Sequence, residues 1–279
     1  MEFEWLFTPV LEIIQKFLSD LVIEILEGAL NLIIQFIKTP SDINAYLPVG
    51  NFLGYIQVLA GALLVLKVVW EVFGQITGNI PNVSGRSIGR LILQTLWAAS
   101  LIFLLPIMAT DILIKINNYL MELVISIGGA SMDVDLIRST FITTTSSFII
   151  LLTLVWAVAF LLLAIAGAIR YVELIIAILL APIAALSVVR GNGTLITWAS
   201  DTTAIVFTQT IHVLLLQLLA LIITKTSGVM MFFLSFGVMA VVLKGPQILR
   251  KYIYSSGTGS KVMPVVGGMG RMAFSVVKK

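Results

Sequence analysis

Between Phe148 and Val189 the chain runs through a long apolar stretch whose only charged side chains are Arg170 and Glu173. A helical crossing of a bilayer needs about 20 apolar residues, so the stretch is either one long helix or two spans joined by a turn. A turn needs residues that permit it, and "AIRYVEL" around the two charges offers no Gly-Pro, Asn-Gly or similar signal. The stretch therefore predicts one long, tilted helix, bent or ended around Pro182, with Arg170 and Glu173 paired at i,i+3. A six-span hairpin is the alternative. Either way the class is an all-α, polytopic integral membrane protein. The composition agrees, with 59% hydrophobic and 11% charged residues where a soluble domain carries ~25% charged.

Four further apolar stretches bring the expected count to about five transmembrane helices. They run from Phe52 to Phe73, from Leu91 to Thr110 with Pro106 predicting a kink near its end, from Ala204 to Thr224, and from Val229 to Leu243 after "KTSG". The turn-rich segment Gly74 to Arg90 separates the first two and carries Arg86 and Arg90. Asp111 to Ser147 reads as an external loop (111–147) in two parts. "DILIKINNYLMELVISIGG" is helical and amphipathic, and "ASMDVDLIRSTFITTTSS" is polar. Three regions follow: 1–48, a transmembrane domain 49–245, and a basic, glycine-rich tail 246–279.

The first region predicts a long amphipathic helix over residues 9–38. Thr8-Pro9 supplies an N-cap and a first-turn proline. Lys16, Asp20, Glu24, Glu27, Asn31, Gln35 and Lys38 then recur in steps of four and three, which holds them on one narrow face. Two placements fit: on the membrane surface or against neighbouring subunits with the polar stripe wet, or docked on the chain's own bundle. Surface helices that bind anionic lipid carry basic faces, and this one is acidic.

Charge is distributed unevenly. Residues 1–50 hold seven acids against Lys16 and Lys38, whereas no acid follows Asp201. From Lys244 onward the chain holds seven cations, among them Lys244, Arg250, Lys251, Lys261 and Arg271. The positive-inside rule then places the C-terminus in the cytoplasm, and five spans place the acidic N-terminal helix outside. A six-span count would put Lys16 and Lys38 inside instead, so the missing turn at Arg170 decides the topology. "MEFEW" is acidic where a secretory signal begins basic, so insertion is expected to rest on the internal spans.

Polar groups inside the spans are costly and therefore informative. At about 100° per residue, Asp201, Thr208 and His212 share a face about 40° wide, flanked by Thr202 and Gln209, while Gln217 points elsewhere. That face suits a polar helix–helix seam or a water-filled vestibule open to the cytoplasm. Lys67 and Glu71 stand at i,i+4 near the inner end of the first span, where both can snorkel. Arg170 and Glu173 fit an ion pair facing the interior of a bundle.

No catalytic chemistry is announced. The chain has no cysteine and one histidine, His212, and lacks HExxH, GxxxxGK[ST] and GxSxG motifs. A histidine-dependent intramembrane protease would need Ser100, Ser126 or Ser235 beside His212, and none has a recognisable surround. "SSGTGS" (Ser255 to Ser260) follows no strand and reads as a linker. No enzyme, cofactor or metal site is expected.

"RYVELIIAILLAPIAALSVV", the following "WASDTTAIVFTQTIHVLLLQLLALII" and the tail "GTGSKVMPVVGGMGRMA" resemble TrbL-type conjugal transfer proteins over residues 88–279. Those proteins are polytopic inner-membrane subunits of type IV secretion systems. The length and acidic amphipathic start are similar to the short Gram-positive members. The resemblance implies a channel or platform subunit of the bacterial cytoplasmic membrane, N-out and C-in, supporting export of single-stranded DNA with its relaxase. It further implies homo-oligomers, partnership with other secretion subunits including cytoplasmic ATPases, and an external loop near the DNA. Here that loop carries Asp133 and Asp135 against Lys115 and Arg138, a poor surface for gripping phosphate. The basic tail would meet anionic lipid or the ATPases.

Other classes compete with that reading. A small-molecule or ion permease would use Lys67, Glu71, Arg170, Glu173 and His212, although no inverted repeat or broken pair of spans is visible. A holin-like pore would harm cells when expressed alone.

Overall fold

A computed structural model of the chain describes residues 4–38, 42, 48–77, 88–128, 147–190 and 193–255. The loop carrying Arg86, the polar half of the expected external loop, and Lys261 and Arg271 lie outside the described residues. The described elements are all helical: α1 Glu4–Ile33, α2 Val49–Thr77, α3 Ile88–Ile107, α4 Lys115–Gly128, α5 Ser147–Ala185, α6 Ser187–Arg190, α7 Thr194–Lys225 and α8 Gly228–Ser255. Five stretches are long and apolar enough to cross a membrane: Val49–Thr77, Ile88–Gly128, Leu151–Val189, Thr194–Lys225 and Gly228–Gly245. The molecule is an all-α polytopic membrane protein. The apolar run at Arg170 is one helix, as the missing turn predicted.

Two expected boundaries move. The second span does not stop at Thr110, because α3 passes through Pro106 into a π-helical segment, Met108–Ile114, and on into α4 without a break. Proline lacks an N–H, so the Ile102 carbonyl loses its intrahelical donor. The wider π turn absorbs the distortion without ending the helix. The last span likewise continues beyond Leu243, through Gly245 and Pro246, to Ser255. The first ten residues of the basic tail are therefore helical.

The chain forms two compact units, and the long helices contribute to both. The first contains α1, α4 from Asn117, α5 to Tyr171, α7 from Phe207 and α8 to Gly245. Its core joins Val22, Leu26, Leu30, Ile33 and Ile37 of α1 to Trp156 and Phe160 of α5, Leu219 of α7 and Met239 of α8. The steps along α1 are those of one helical face, so α1 is docked on its own bundle. Lys16, Asp20, Glu24, Asn31 and Gln35 are exposed on the other side. Trp156 meets Phe160 edge-on with ring centroids 4.8 Å apart, and Phe232 of α8 at 6.4 Å. Gly228, with φ +64, takes the left-handed conformation that turns α7 into α8.

The second unit contains α2, α3, the rest of α5, α6 and the start of α7. Ala60 and Leu64 of α2 pack with Leu91, Ala98, Ile102 and Leu105 of α3 against Ala181, Ala185 and Val189. The remainder of α2 is exposed and apolar, including Tyr55, Val58, Val65, Trp70 and Ile76, as a lipid-facing helix should be. Trp198 Nε1 donates to the Ala177 carbonyl at 2.7 Å, and Ser187 Oγ accepts from the Leu195 amide at 3.0 Å, capping α7.

Gly167 marks the tightest approach to α1. A Cβ there would sit 2.8 Å from Ile37 Cγ1 and 3.2 Å from Phe36 Cβ. Gly167→Ala is expected to lower stability by about 1–3 kcal/mol through overpacking. Gly61→Ala, with nothing within 4 Å, should instead raise stability by up to about 1 kcal/mol, since glycine is the poorer helix former. Thermal unfolding of the detergent-solubilised protein checks the pair.

Candidate functional site: a buried polar node at the end of the first helix

The last turn of any helix leaves carbonyls without intrahelical donors. At the end of α1 the helix widens into a π segment, Ile34–Lys38, and the Ile37 carbonyl is one of these orphans. It lies inside the first unit, where Ile37 is buried, so water cannot satisfy it. Gln209 of α7 does, donating from Nε2 at 3.0 Å. The other end of the same amide, Oε1, accepts from Arg170 Nη2 of α5 at 2.8 Å and from Asn117 Nδ2 of α4 at 2.9 Å. Asn117 Oδ1 in turn accepts from Thr210 Oγ1 at 2.8 Å. The orientation of the Gln209 amide is forced by chemistry: a carbonyl only accepts and a guanidinium only donates.

Four helices thus meet at one buried amide. Gln209, Asn117 and Arg170 are almost wholly inaccessible. In a low-dielectric interior such linked bonds are worth more than on a surface, and breaking one strands its partners. The rings of Phe36 and Tyr171 meet at a tilt beside the node, with centroids 6.5 Å apart.

One turn along α7, His212 is completely buried. Gly245 of α8 lies against it, since a Cβ there would stand 3.2 Å from His212 Nε2. Pro246 has no N–H to give the Val242 carbonyl four residues earlier. Neither ring nitrogen of His212 makes a hydrogen bond among the described residues. Thr208 is buried on the same helix.

Lys67, Glu71, Glu173 and Asp201 lie in the second unit. Lys67 Nζ donates to the Leu186 carbonyl at 2.6 Å, at the turn that ends α5. A lysine at a helix C-terminus meets both an orphan carbonyl and the negative end of the helix dipole. Glu71 is buried one turn further along α2, and Glu173 and Asp201 are half-buried. Lys244 is exposed. Arg250 and Lys251 fall on the last turns of α8, with their side chains outside the described residues.

Sequence reasoning missed Asn117, Thr210 and the Ile37 carbonyl. The signal for Asn117 was the polar pair Asn117-Asn118 interrupting an apolar helix. No sequence signal marks a backbone carbonyl as the one that Gln209 will reach.

The arrangement binds helices together. Among the described residues no cluster of three histidine or carboxylate side chains forms. The family model described as Conjugal transfer protein TrbL matches residues 3–278. No curated protein and no solved structure matches the chain.

Gln209→Leu strands the Ile37 carbonyl, the Asn117 amide and one guanidinium donor, and is expected to cost about 3 kcal/mol or more at 1–3 kcal/mol per buried unsatisfied group. Gln209→Glu keeps both acceptor bonds and loses only the donor to Ile37, so its loss should be smaller. Thr210→Val should cost about 1 kcal/mol. Thermal unfolding of the three variants in detergent gives the ranking.

Proposed function

The chain belongs to the TrbL family of conjugal transfer proteins and is a multi-pass membrane component of a type IV secretion system, and from that premise we propose that it is a channel or platform subunit supporting export of single-stranded DNA with its relaxase. The observation that carries this reading is the combination of a family match over the whole chain with an interior given to helix-binding polar contacts. A rigid, polar-pinned bundle is what a subunit that holds a path open requires. Chemical energy comes from partner ATPases on the cytoplasmic side.

In this reading the protein sits in the cytoplasmic membrane with its N-terminus outside and the basic end of α8 inside. Lys244, Arg250, Lys251, Lys261 and Arg271 then face anionic lipid headgroups or the ATPases. Several copies assemble together with other secretion subunits. The acidic residues of the 111–147 region make a grip on DNA there unfavourable, so the strand passes this subunit without being held by it.

The test is crosslinking and immunoprecipitation of the tagged protein from donor cells during mating, with and without working ATPases. Transferred-strand DNA should be recovered only when the ATPases work. Loss of transfer on deletion with no strand recovered would make the protein a scaffold outside the route. Transfer that survives deletion would overturn the reading altogether.

A further inference from the structure

We propose that α1 is a re-entrant half-span. It enters the first unit from the end where α5 and α8 begin, stops at mid-length, and the chain leaves by the side it came in. This rests on the five-crossing reading of the apolar helices, of which α1 is not one.

Helix directions follow from contacts within the first unit. Ile37 meets Gln209, and Leu30, Ile33 and Ile34 share a small cavity with Val213, Leu216 and Gln217, so α1 runs antiparallel to α7. Asn117 also meets Gln209, and Gly128 lies against Gln217, so α4 runs parallel to α7. Beyond the turn at Gly228, Gly245 lies against His212, so α8 runs back along α7. Trp156 faces Phe232 while Arg170 meets Gln209, which gives α5 the direction of α8. The order α4, α5, α7, α8 therefore alternates, as consecutive crossings must. Since α3 and α4 form one crossing and α2 is the crossing before it, α2 starts on the side where α5 and α8 start. The first turns of α1 point to that same side. With the basic end of α8 in the cytoplasm, it is the external one.

The stopping point is set by the polar node. Gln209 stands at the centre of Thr194–Lys225, and Arg170 at the centre of Leu151–Val189. A layer crossed by about 20 helical residues contains such a central residue wherever it cuts the helix. The node therefore lies inside the layer in any placement that lets both helices cross. The end of α1 is enclosed there. Ile33 and Ile37 are buried, and Gly167, one turn before Arg170, lies too close to Ile37 to admit a Cβ.

Charge along α1 agrees with a half-span. From Gly28 to Ile37 the sequence "GALNLIIQFI" carries no charge, whereas Glu4, Glu12, Lys16, Asp20, Glu24 and Glu27 precede it. At about 1.5 Å per residue, about ten residues cover about 15 Å, half of a hydrocarbon layer about 30 Å thick. A full crossing would draw Asp20 and Glu24, both exposed, into hydrocarbon, where charges are costly. A half crossing leaves them at or beyond its edge. A helix end inside a membrane is tolerated where the protein satisfies it, and Gln209 does so by donating to the Ile37 carbonyl. Lys38 to Asp42, which must begin the return, is polar, and polar chain at depth is tolerated where protein or water surrounds it.

The chain has no cysteine, so single cysteines in the full chain report on their own sites. In sealed right-side-out vesicles from cells expressing it, Glu4→Cys and Asn51→Cys should react with an impermeant maleimide, and Ser275→Cys only after the membrane is opened. Labelling of Glu4→Cys and Asn51→Cys from opposite sides would mean that α1 crosses, which overturns the proposal. Labelling of all three from one side would break the alternation and overturn it too. Depth separates re-entry from a helix lying on the surface. Leu21 and Leu32 are both exposed, about three turns apart on one strip of α1. With nitroxides at Leu21→Cys or Leu32→Cys in the reconstituted full chain, the ratio of collisions with oxygen to those with a water-soluble nickel complex should be severalfold higher at Leu32. Equal ratios would lay α1 flat on the surface and end the proposal. None of these readouts involves DNA transfer, so their failure is distinct from failure of the channel reading in the mating test.

Discussion

The Gln209 amide is the contact on which the first unit depends. A helix that ends inside an apolar bundle presents carbonyls to a medium that cannot solvate them. Ile37 is in that position, and Gln209 satisfies it while accepting from Arg170 and Asn117. One side chain thereby sets the depth at which α1 stops, the height of α4 beside α7, and the rotation of α5. Apolar packing along Val22, Leu26 and Leu30 supplies the area, but apolar contacts slide at little cost. A three-bond node does not, and it fixes the register.

Three prolines repeat the same problem along the spans. Pro106, Pro182 and Pro246 free the carbonyls of Ile102, Ile178 and Val242. Near each, the molecule adapts. The chain widens into a π segment after Pro106, Trp198 donates to the carbonyl adjoining Ile178, and Gly245, next to Pro246, lies against His212. Backbone polar groups in a membrane are best met from within the protein.

The same constraint reads outward. A helix surrounded by lipid is apolar on every outward side, as α2 is, whereas α1 and α4 are not.

Much of this was legible in the residues, and the reason is physical. Bilayer thickness dictates span length, so apolar runs reveal five crossings, and the want of a turn at "AIRYVEL" reveals that Arg170 sits within a helix. Periodicity exposed the polar stripe of α1, and the cost of burying amides singled out Gln209 and His212. What periodicity cannot express is which helix stands opposite. Sequence spacing sets Glu173 near Arg170 on their own helix, but local spacing is all a sequence displays. The hydrogen bond of Arg170 to Gln209, 39 residues away, exists only once the bundle has chosen its neighbours. Tertiary structure alone decided that Asn117 and the Ile37 carbonyl belong to the same node. It also decided that α3 and α4 are one helix, because a proline in sequence signals a break and only packing determines whether the helix resumes.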